Sequence, residues 1–195
     1  MKNKLKASET EESPQSDINF LVSGVDIENR IIDIRSMIDE NVASVVIRAL
    51  MVMSTKSNEP INIMLSSAGG SVYDGMSIVD YLIACPCPIH IQGSGLIASM
   101  GFMIYLAGDV RTATPNPTFM MHSLSYSMVD QKIVKHHEVE VAEAKRMNSV
   151  LQNIMAERTN RNKKYWYRTV SLSDKYFTVE EALEIGIMTK PKVVS

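Results

Sequence analysis

The chain has 195 residues, of which 45% are apolar and 22% are charged, and its formal net charge is −2. This balance is typical of a globular protein and excludes disorder along the whole chain, while the small net charge gives no general attraction to nucleic acid or to an acidic membrane. No apolar run is long enough to span a bilayer, and the first residues lack the apolar segment of a secretion signal. The two cysteines, Cys85 and Cys87, form neither a disulfide framework nor a zinc motif. We therefore expect a cytoplasmic protein without membrane contact.

Residues 1–17 are polar, charged and without periodicity, which predicts a mobile tail before a single domain over residues 18–195. From Asp39 to Phe119 the pattern alternates between helix and strand, and Asp39 can cap the first of these helices. The predicted elements are a helix ended by residues 57–60, a strand over 61–65, a turn over 66–71, a helix from about Asp74 to residues 85–88, a strand over 89–92, a turn over 93–98, a helix from about Ser99 and a strand over 118–121.

The residue pattern in the second half of the chain predicts two further helices. The first covers residues 131–158, roughly, and carries an apolar row at helical spacing. Thr178 and Glu181 form a capping box that opens the last helix, and Gly186 lies just past its end. Together with the alternation above, this organisation predicts an α/β protein built from βαβ units with a mostly parallel sheet.

Ser99 is the first candidate for chemistry. It follows a predicted strand and opens a predicted helix, where unpaired N–H groups and the positive end of the helix dipole favour an oxyanion. Its small neighbours Ala98 and Gly101 would let a substrate backbone approach closely. A serine that only caps the helix is an equally good interpretation.

Three further signals are modest when taken singly. His122 ends a strand, at the edge of a parallel sheet where reactive groups collect, although a structural histidine is the commoner case. The Gly69-Gly70 pair could supply an oxyanion donor or could only turn the chain. Asp174, in the loop before the capping box, could orient an imidazole or could be a solvent-exposed acid.

Two patterns point to other classes of protein. His136 and Glu140 are spaced to touch one metal ion, but no third ligand is evident, so we expect no metal. Residues 158–168 interleave basic and aromatic side chains, as nucleic-acid-binding segments do, but the run is short and favours a solvated helix face, so we expect no nucleic-acid partner. No phosphate-binding loop is present, and we expect no nucleotide or other cofactor.

The order and spacing of these signals resemble the Clp protease proteolytic subunit family over about residues 30–190. The matching stretches are S-S-A-G-G-S at 66–71, A-S-M-G at 98–101, F-M-M-H at 119–122 and D-K-Y-F-T-V-E-E-A at 174–182. The resemblance implies a crotonase-like, ClpP-like spiral of ββα units, with the long helix serving as a handle that contacts neighbouring subunits.

Carried over by position, the resemblance implies that Ser99 is the nucleophile, His122 the general base and then acid, and Asp174 the carboxylate that orients the imidazole. The backbone N–H groups of Gly70 and Met100 would form the oxyanion hole. The implied activity is ATP-dependent hydrolysis of peptide bonds in unfolded polypeptide substrates inside a homo-oligomeric ring of seven subunits, with or without a second stacked ring. An AAA+ unfoldase would feed the substrate and use the ATP.

The chain departs from the family pattern in ways that mark a divergent member. Ala68 stands where the family usually has a proline, and Leu172 and Ser173 stand where it commonly has an acidic residue and an arginine that tie two rings together. Two alternatives to the peptidase stay open. A crotonase-like acyl-CoA enzyme would share the sheet and the oxyanion hole, and a non-catalytic ring subunit would share the whole fold.

Overall fold

The computed structural model describes residues 20–124, 134–171 and 173–189, and gives only the backbone of residues 134–136. The predicted tail over residues 1–17 and the predicted first turn of the long helix, residues 131–133, lie outside the described residues. The strands are β1 Val25–Asp26, β2 Ile31–Ile34, β3 Ile61–Ser67, β4 Ile89–Ala98, β5 Val110–Ala113, β6 Thr118–Met121 and β7 Lys175–Phe177. Residues 20–23 are helical, and the helices that follow are α1 Glu40–Lys56, α2 Val72–Ala84, α3 Met100–Ala107, α4 Val134–Arg158, α5 Lys163–Val170 and α6 Val179–Glu184.

Local capping residues decide where the helices begin. The Asp39 carboxylate accepts the Val42 N–H at 2.9 Å and opens α1, as its position predicts. Thr178 and Glu181 form both bonds of the capping box before α6. Helix α2 begins two residues before the predicted position because Ser71, rather than a later residue, caps it.

The strands form one sheet in the order β1-β2-β3-β4-β6-β7, and β5 pairs with β4 beside this path. The pairs β2–β3, β3–β4, β4–β5 and β4–β6 are parallel, while β1–β2 and β6–β7, at the two ends, are antiparallel. The predicted α/β class with a mostly parallel sheet is therefore confirmed. Among the described ranges, no helix has both the length and the apolar composition needed to cross a bilayer.

The predicted turn over residues 93–98 is wrong, because β4 continues to Ala98. The strand changes partner along its length: residues 90–93 pair with β5, and residues 96–98 pair with β6. Gly95, at φ +57°, lies where the partner changes. Position 93 favours glycine, because a Cβ there would come within 3.1 Å of the Ile97 and Tyr105 side chains. The small residues therefore mark a change of strand partner and a close contact within one long strand.

Helix α3 lies at the centre of the core, and all eight of its residues are buried. Phe102 packs on Trp166 and Phe177, with ring centroids 6.1 and 6.0 Å away. The Tyr105 hydroxyl donates to the Thr112 carbonyl at 2.9 Å, and burial raises the pKa of this phenol. These contacts fix the axis of α3, and thereby the position of the residue at its N-terminus.

The side chain of Arg111, on β5, binds the C-terminal end of α3. Its side chain is buried, and burial lowers the pKa of its guanidinium to about 10, so that it stays charged at neutral pH. A cation is favourable here because the carbonyl end of a helix carries partial negative charge. The guanidinium donates to the backbone carbonyls of Leu106, Gly108, Arg158, Gly186 and Ile187, at 2.7 to 3.3 Å.

We expect Arg111→Leu to lower the free energy of unfolding by about 3 kcal/mol or more, because buried carbonyls would lose their donor. Urea unfolding followed by the fluorescence of Trp166, the single tryptophan, measures this change. Arg168→Leu is the control, since Arg168 is exposed and should change stability by about 0.5 kcal/mol at most. Equal effects of the two substitutions would contradict the role given to Arg111.

Candidate active site

Ser99 lies between the end of β4 and the start of α3 in a backbone conformation that is rare for a residue with a side chain. Its φ is +53° and its ψ is −120°. Strain of this kind persists only where surrounding structure imposes it, and it is common at reactive sites. The Ser99 side chain makes no capping bond with α3. The interpretation of Ser99 as a plain N-cap therefore has no support in the geometry.

The Ser99 hydroxyl instead lies beside an imidazole. His122 Nε2 is 3.0 Å from Ser99 Oγ. The two residues meet because β4 and β6 run parallel and end at the same edge of the sheet. The next residue, Ser123, donates to the Val170 carbonyl through both its N–H and its hydroxyl, which holds the chain beyond His122 against α5. A hydroxyl within hydrogen-bond reach of an imidazole is the arrangement of a nucleophile and its base.

Asp174 lies at the same edge of the sheet, just before β7, the strand that pairs antiparallel with β6. Strands β6 and β7 pair as far as Met121 and Lys175, so one further step of this register sets Asp174 opposite His122. The Asp174 side chain is exposed, and within the described part of the chain its carboxylate makes no hydrogen bond with the imidazole. The fold thus brings the predicted acid to the site without placing it on the ring.

The turn after β3 carries one backbone donor that points away from Ile38. Gly69 and Gly70 have φ values of +98° and +150°, which residues with side chains rarely adopt. The Ile38 N–H donates to the Gly69 carbonyl at 2.8 Å. Because the peptide unit is planar and trans, the Gly70 N–H points to the side opposite Ile38. No acceptor for this N–H lies among the residues that the structure describes.

A second backbone donor lies on α3. Met100 is the first residue of the helix, where an amide has no acceptor within the helix. A cavity of about 120 Å³ is lined by both predicted oxyanion-hole residues together with Ser99 and His122, the predicted nucleophile and base. Its lining residues are Gly70, Val72, Ser99, Met100, Met121, His122, Ser123, Leu124 and Leu151. Two N–H groups beside a hydroxyl and an imidazole can stabilise the negative oxygen that forms when a carbonyl is attacked.

An apolar groove continues from this cavity between α2 and α4. It has a volume of about 380 Å³ and shares Val72 and Leu124 with the site. At its rim the Tyr73 hydroxyl donates to Glu143 at 3.0 Å, and the hydrogen bond from Arg146, together with that of Tyr73, lowers the pKa of Glu143 to about 2. This groove could not be predicted from the sequence, because contacts between residues some seventy positions apart have no signal in local spacing.

Comparison with known proteins identifies the class. The model of the Clp protease family matches residues 15–192. The structure is similar to that of a mutant of ClpP1 from Listeria monocytogenes, with a TM-score of 0.78 and 26% sequence identity, over 90% of this chain and 95% of that chain. The chain therefore belongs to the Clp protease family, and both the predicted family and its fold are confirmed.

We expect Gly69→Ala to destabilise the site. A Cβ at Gly69 would lie 2.6 Å from Ser99 Cβ and 2.9 Å from both the Ala98 carbonyl and the Met100 nitrogen. The free energy of unfolding should fall by about 3 kcal/mol, from backbone strain and overpacking together.

Gly95→Ala is the matched control for this substitution. Gly95 also has a positive φ, but its nearest neighbour to a new Cβ is the Ser66 hydroxyl at 3.1 Å, so the expected cost is about 1 kcal/mol. Urea unfolding of the two variants compares them. A loss at Gly69 no larger than the loss at Gly95 would contradict the close packing of the turn on Ser99.

Proposed function

We propose that this protein is a Clp-type serine endopeptidase that hydrolyses peptide bonds in unfolded polypeptides. The observation that carries the proposal is the pairing of Ser99 Oγ with His122 Nε2 at 3.0 Å, made by a serine that does not cap its helix. Membership of the Clp protease family supports it independently.

In the proposed mechanism, His122 takes the proton of Ser99 as the hydroxyl attacks a peptide carbonyl. The N–H groups of Gly70 and Met100 hold the oxygen of the tetrahedral intermediate, an interaction for which each donor typically contributes about 3–4 kcal/mol. His122 then gives its proton to the leaving amine, and water hydrolyses the acyl-enzyme with the same imidazole as base. The serine is restored at the end of the cycle.

Asp174 orients His122 in this mechanism. A carboxylate that accepts the N–H of the second ring nitrogen selects the tautomer in which Nε2 faces the serine, and it stabilises the imidazolium. The register of β6 with β7, which sets Asp174 opposite His122, supports this role.

The proposal includes a homo-oligomeric ring of seven subunits, single or stacked in pairs, with the sites facing an inner chamber. Family membership supports the ring, and so do large apolar side chains that are exposed on α1 and α2: Val45, Met51, Val52, Tyr81 and Ile83. An AAA+ unfoldase in the cytoplasm would supply unfolded chains and consume the ATP.

A non-catalytic ring subunit is the second candidate. The specific observation in its favour is the Asp174 carboxylate, which is exposed and makes no hydrogen bond with His122 within the described residues. The two candidates differ in whether Ser99 is reactive, and covalent labelling decides between them.

Labelling with a fluorophosphonate, followed by peptide mapping, should give an adduct on Ser99. Ser99→Ala should abolish both the adduct and the hydrolysis of a fluorogenic peptide, while the melting temperature stays near that of the parent because only one hydroxyl is removed. Ser77→Ala is the control, since the Ser77 hydroxyl bonds only within α2 and its loss should leave labelling intact. Undiminished hydrolysis by Ser99→Ala would rule out the mechanism, and an unlabelled parent protein would favour the non-catalytic subunit.

Asp174→Asn tests the third member of the site. A peptidase should lose about 100-fold or more in kcat, because an amide in place of the carboxylate favours the wrong imidazole tautomer. Asp80→Asn, on the exposed face of α2, should leave kcat unchanged. Steady-state kinetics on one fluorogenic peptide compares the two, and equal kcat values would remove Asp174 from the mechanism.

A further inference from the structure

Ser67 is a buried hydroxyl at the end of β3 that the mechanism above does not use. Ser67 is only 4% exposed. The hydroxyl donates to the Ser36 carbonyl at 2.6 Å and accepts the Gly69 N–H at 3.2 Å. The Ser67 side chain thus links the glycine turn to the segment before α1. Its hydroxyl makes one hydrogen bond as donor and one as acceptor.

Ser67 also lies against the first turn of α3. A Cβ at Gly101 would lie 2.8 Å from the Ser67 carbonyl and 3.1 Å from Ser67 Cβ, so the two backbones are in direct contact. Ser67 pairs with Ile97 in the sheet, two residues before Ser99. It therefore lies between the two elements that carry the donors of the proposed oxyanion hole, the glycine turn and α3.

Two consecutive peptide planes decide the direction of the Gly70 N–H. Ile38 fixes the plane that contains this N–H, through the Gly69 carbonyl. Ser67 fixes the preceding plane, through the Gly69 N–H. Glycine backbones have little intrinsic preference between such conformations, and Ala68 does not lock its own φ as a proline would. Without the Ser67 hydroxyl, one of the two planes loses its hydrogen bond.

We propose that Ser67 is a positioning residue for the oxyanion hole, whose hydroxyl holds the Gly69-Gly70 turn so that the Gly70 N–H faces Ser99. The inference rests on the proposed function, since an oxyanion hole matters only if Ser99 attacks a carbonyl. It goes beyond that function by assigning part of the transition-state stabilisation to a side chain that touches no substrate.

Ser67→Ala removes the hydroxyl, and Ser67→Cys replaces it with a weaker donor and acceptor of similar position. Thr159→Val is the matched control. The Thr159 hydroxyl also donates to one backbone carbonyl, that of Met155, and accepts one N–H, that of the Trp166 indole. Thr159 lies at the end of α4, away from the cavity. All three variants and the parent are assayed as full chains, below their melting temperatures, with active sites counted by fluorophosphonate titration.

In Ser67→Ala we expect kcat to fall about 10- to 100-fold while KM changes by less than about twofold, because an oxyanion donor acts in the transition state and little in the ground state. The affinity for a peptide boronate, which forms a tetrahedral adduct with serine, should fall by about the same factor as kcat. Ser67→Cys should lie between the parent and Ser67→Ala. Thr159→Val should lower the melting temperature without changing kcat or boronate affinity.

A merely structural role gives a different result. If Ser67→Ala and Thr159→Val both lose stability and both keep the parent kcat and boronate affinity, the positioning role is wrong while the peptidase stands. If the parent protein itself neither reacts with fluorophosphonate nor hydrolyses peptides, the proposed function fails and this inference fails with it. The parent assay therefore separates the two failures.

Discussion

The change of partner along β4 is the constraint on which the site depends. The first half of this strand pairs with β5 and the second half with β6, so the strand end that carries Ser99 lies beside the strand end that carries His122. Gly95, with its positive φ, lies between the two halves. Had β4 kept β5 as its partner throughout, the hydroxyl and the imidazole would lie at the ends of two strands that are not neighbours.

Close backbone packing holds Ser99 in place together with the side-chain contacts of α3. Gly69 and Gly101 leave no room for a Cβ, so the glycine turn, the end of β3 and the first turn of α3 lie in van der Waals contact. Such contacts tolerate little displacement, because a close-packed interior relaxes only at a cost in energy. The unusual conformation of Ser99 is held by this packing and by the bond from its N–H to the Met120 carbonyl. Preorganised backbone donors are effective because they need no rearrangement when charge develops.

The elements that sequence could predict are those whose cause is local. Asp39 and the Thr178–Glu181 pair cap helices through bonds that span three residues, and both were predictable from spacing alone. The extent of β4 was not, because glycine in a strand has the same local signal as glycine in a turn. The pairing of Ser99 with His122 could be predicted only from the family resemblance, because their contact joins the ends of two separate strands. The groove beside the site and the Ser67 hydroxyl depend wholly on contacts between distant segments, which no periodicity encodes.

The arginine beneath α3 also binds the far end of the described chain. Thr189 accepts the Arg111 N–H through its hydroxyl at 2.7 Å and donates its own N–H to the Arg111 carbonyl at 3.0 Å, while the carbonyls of Gly186 and Ile187 receive the guanidinium. Ile187 is buried, and the hydrogen bonds of Gly186, Ile187 and Thr189 with Arg111 hold this segment against the fold, so it is not a dispensable extension. At this end of the chain, an affinity tag or fluorescent fusion is compatible with these contacts only when it is attached beyond Thr189, and truncation before Gly186 would leave a buried cation short of its partners.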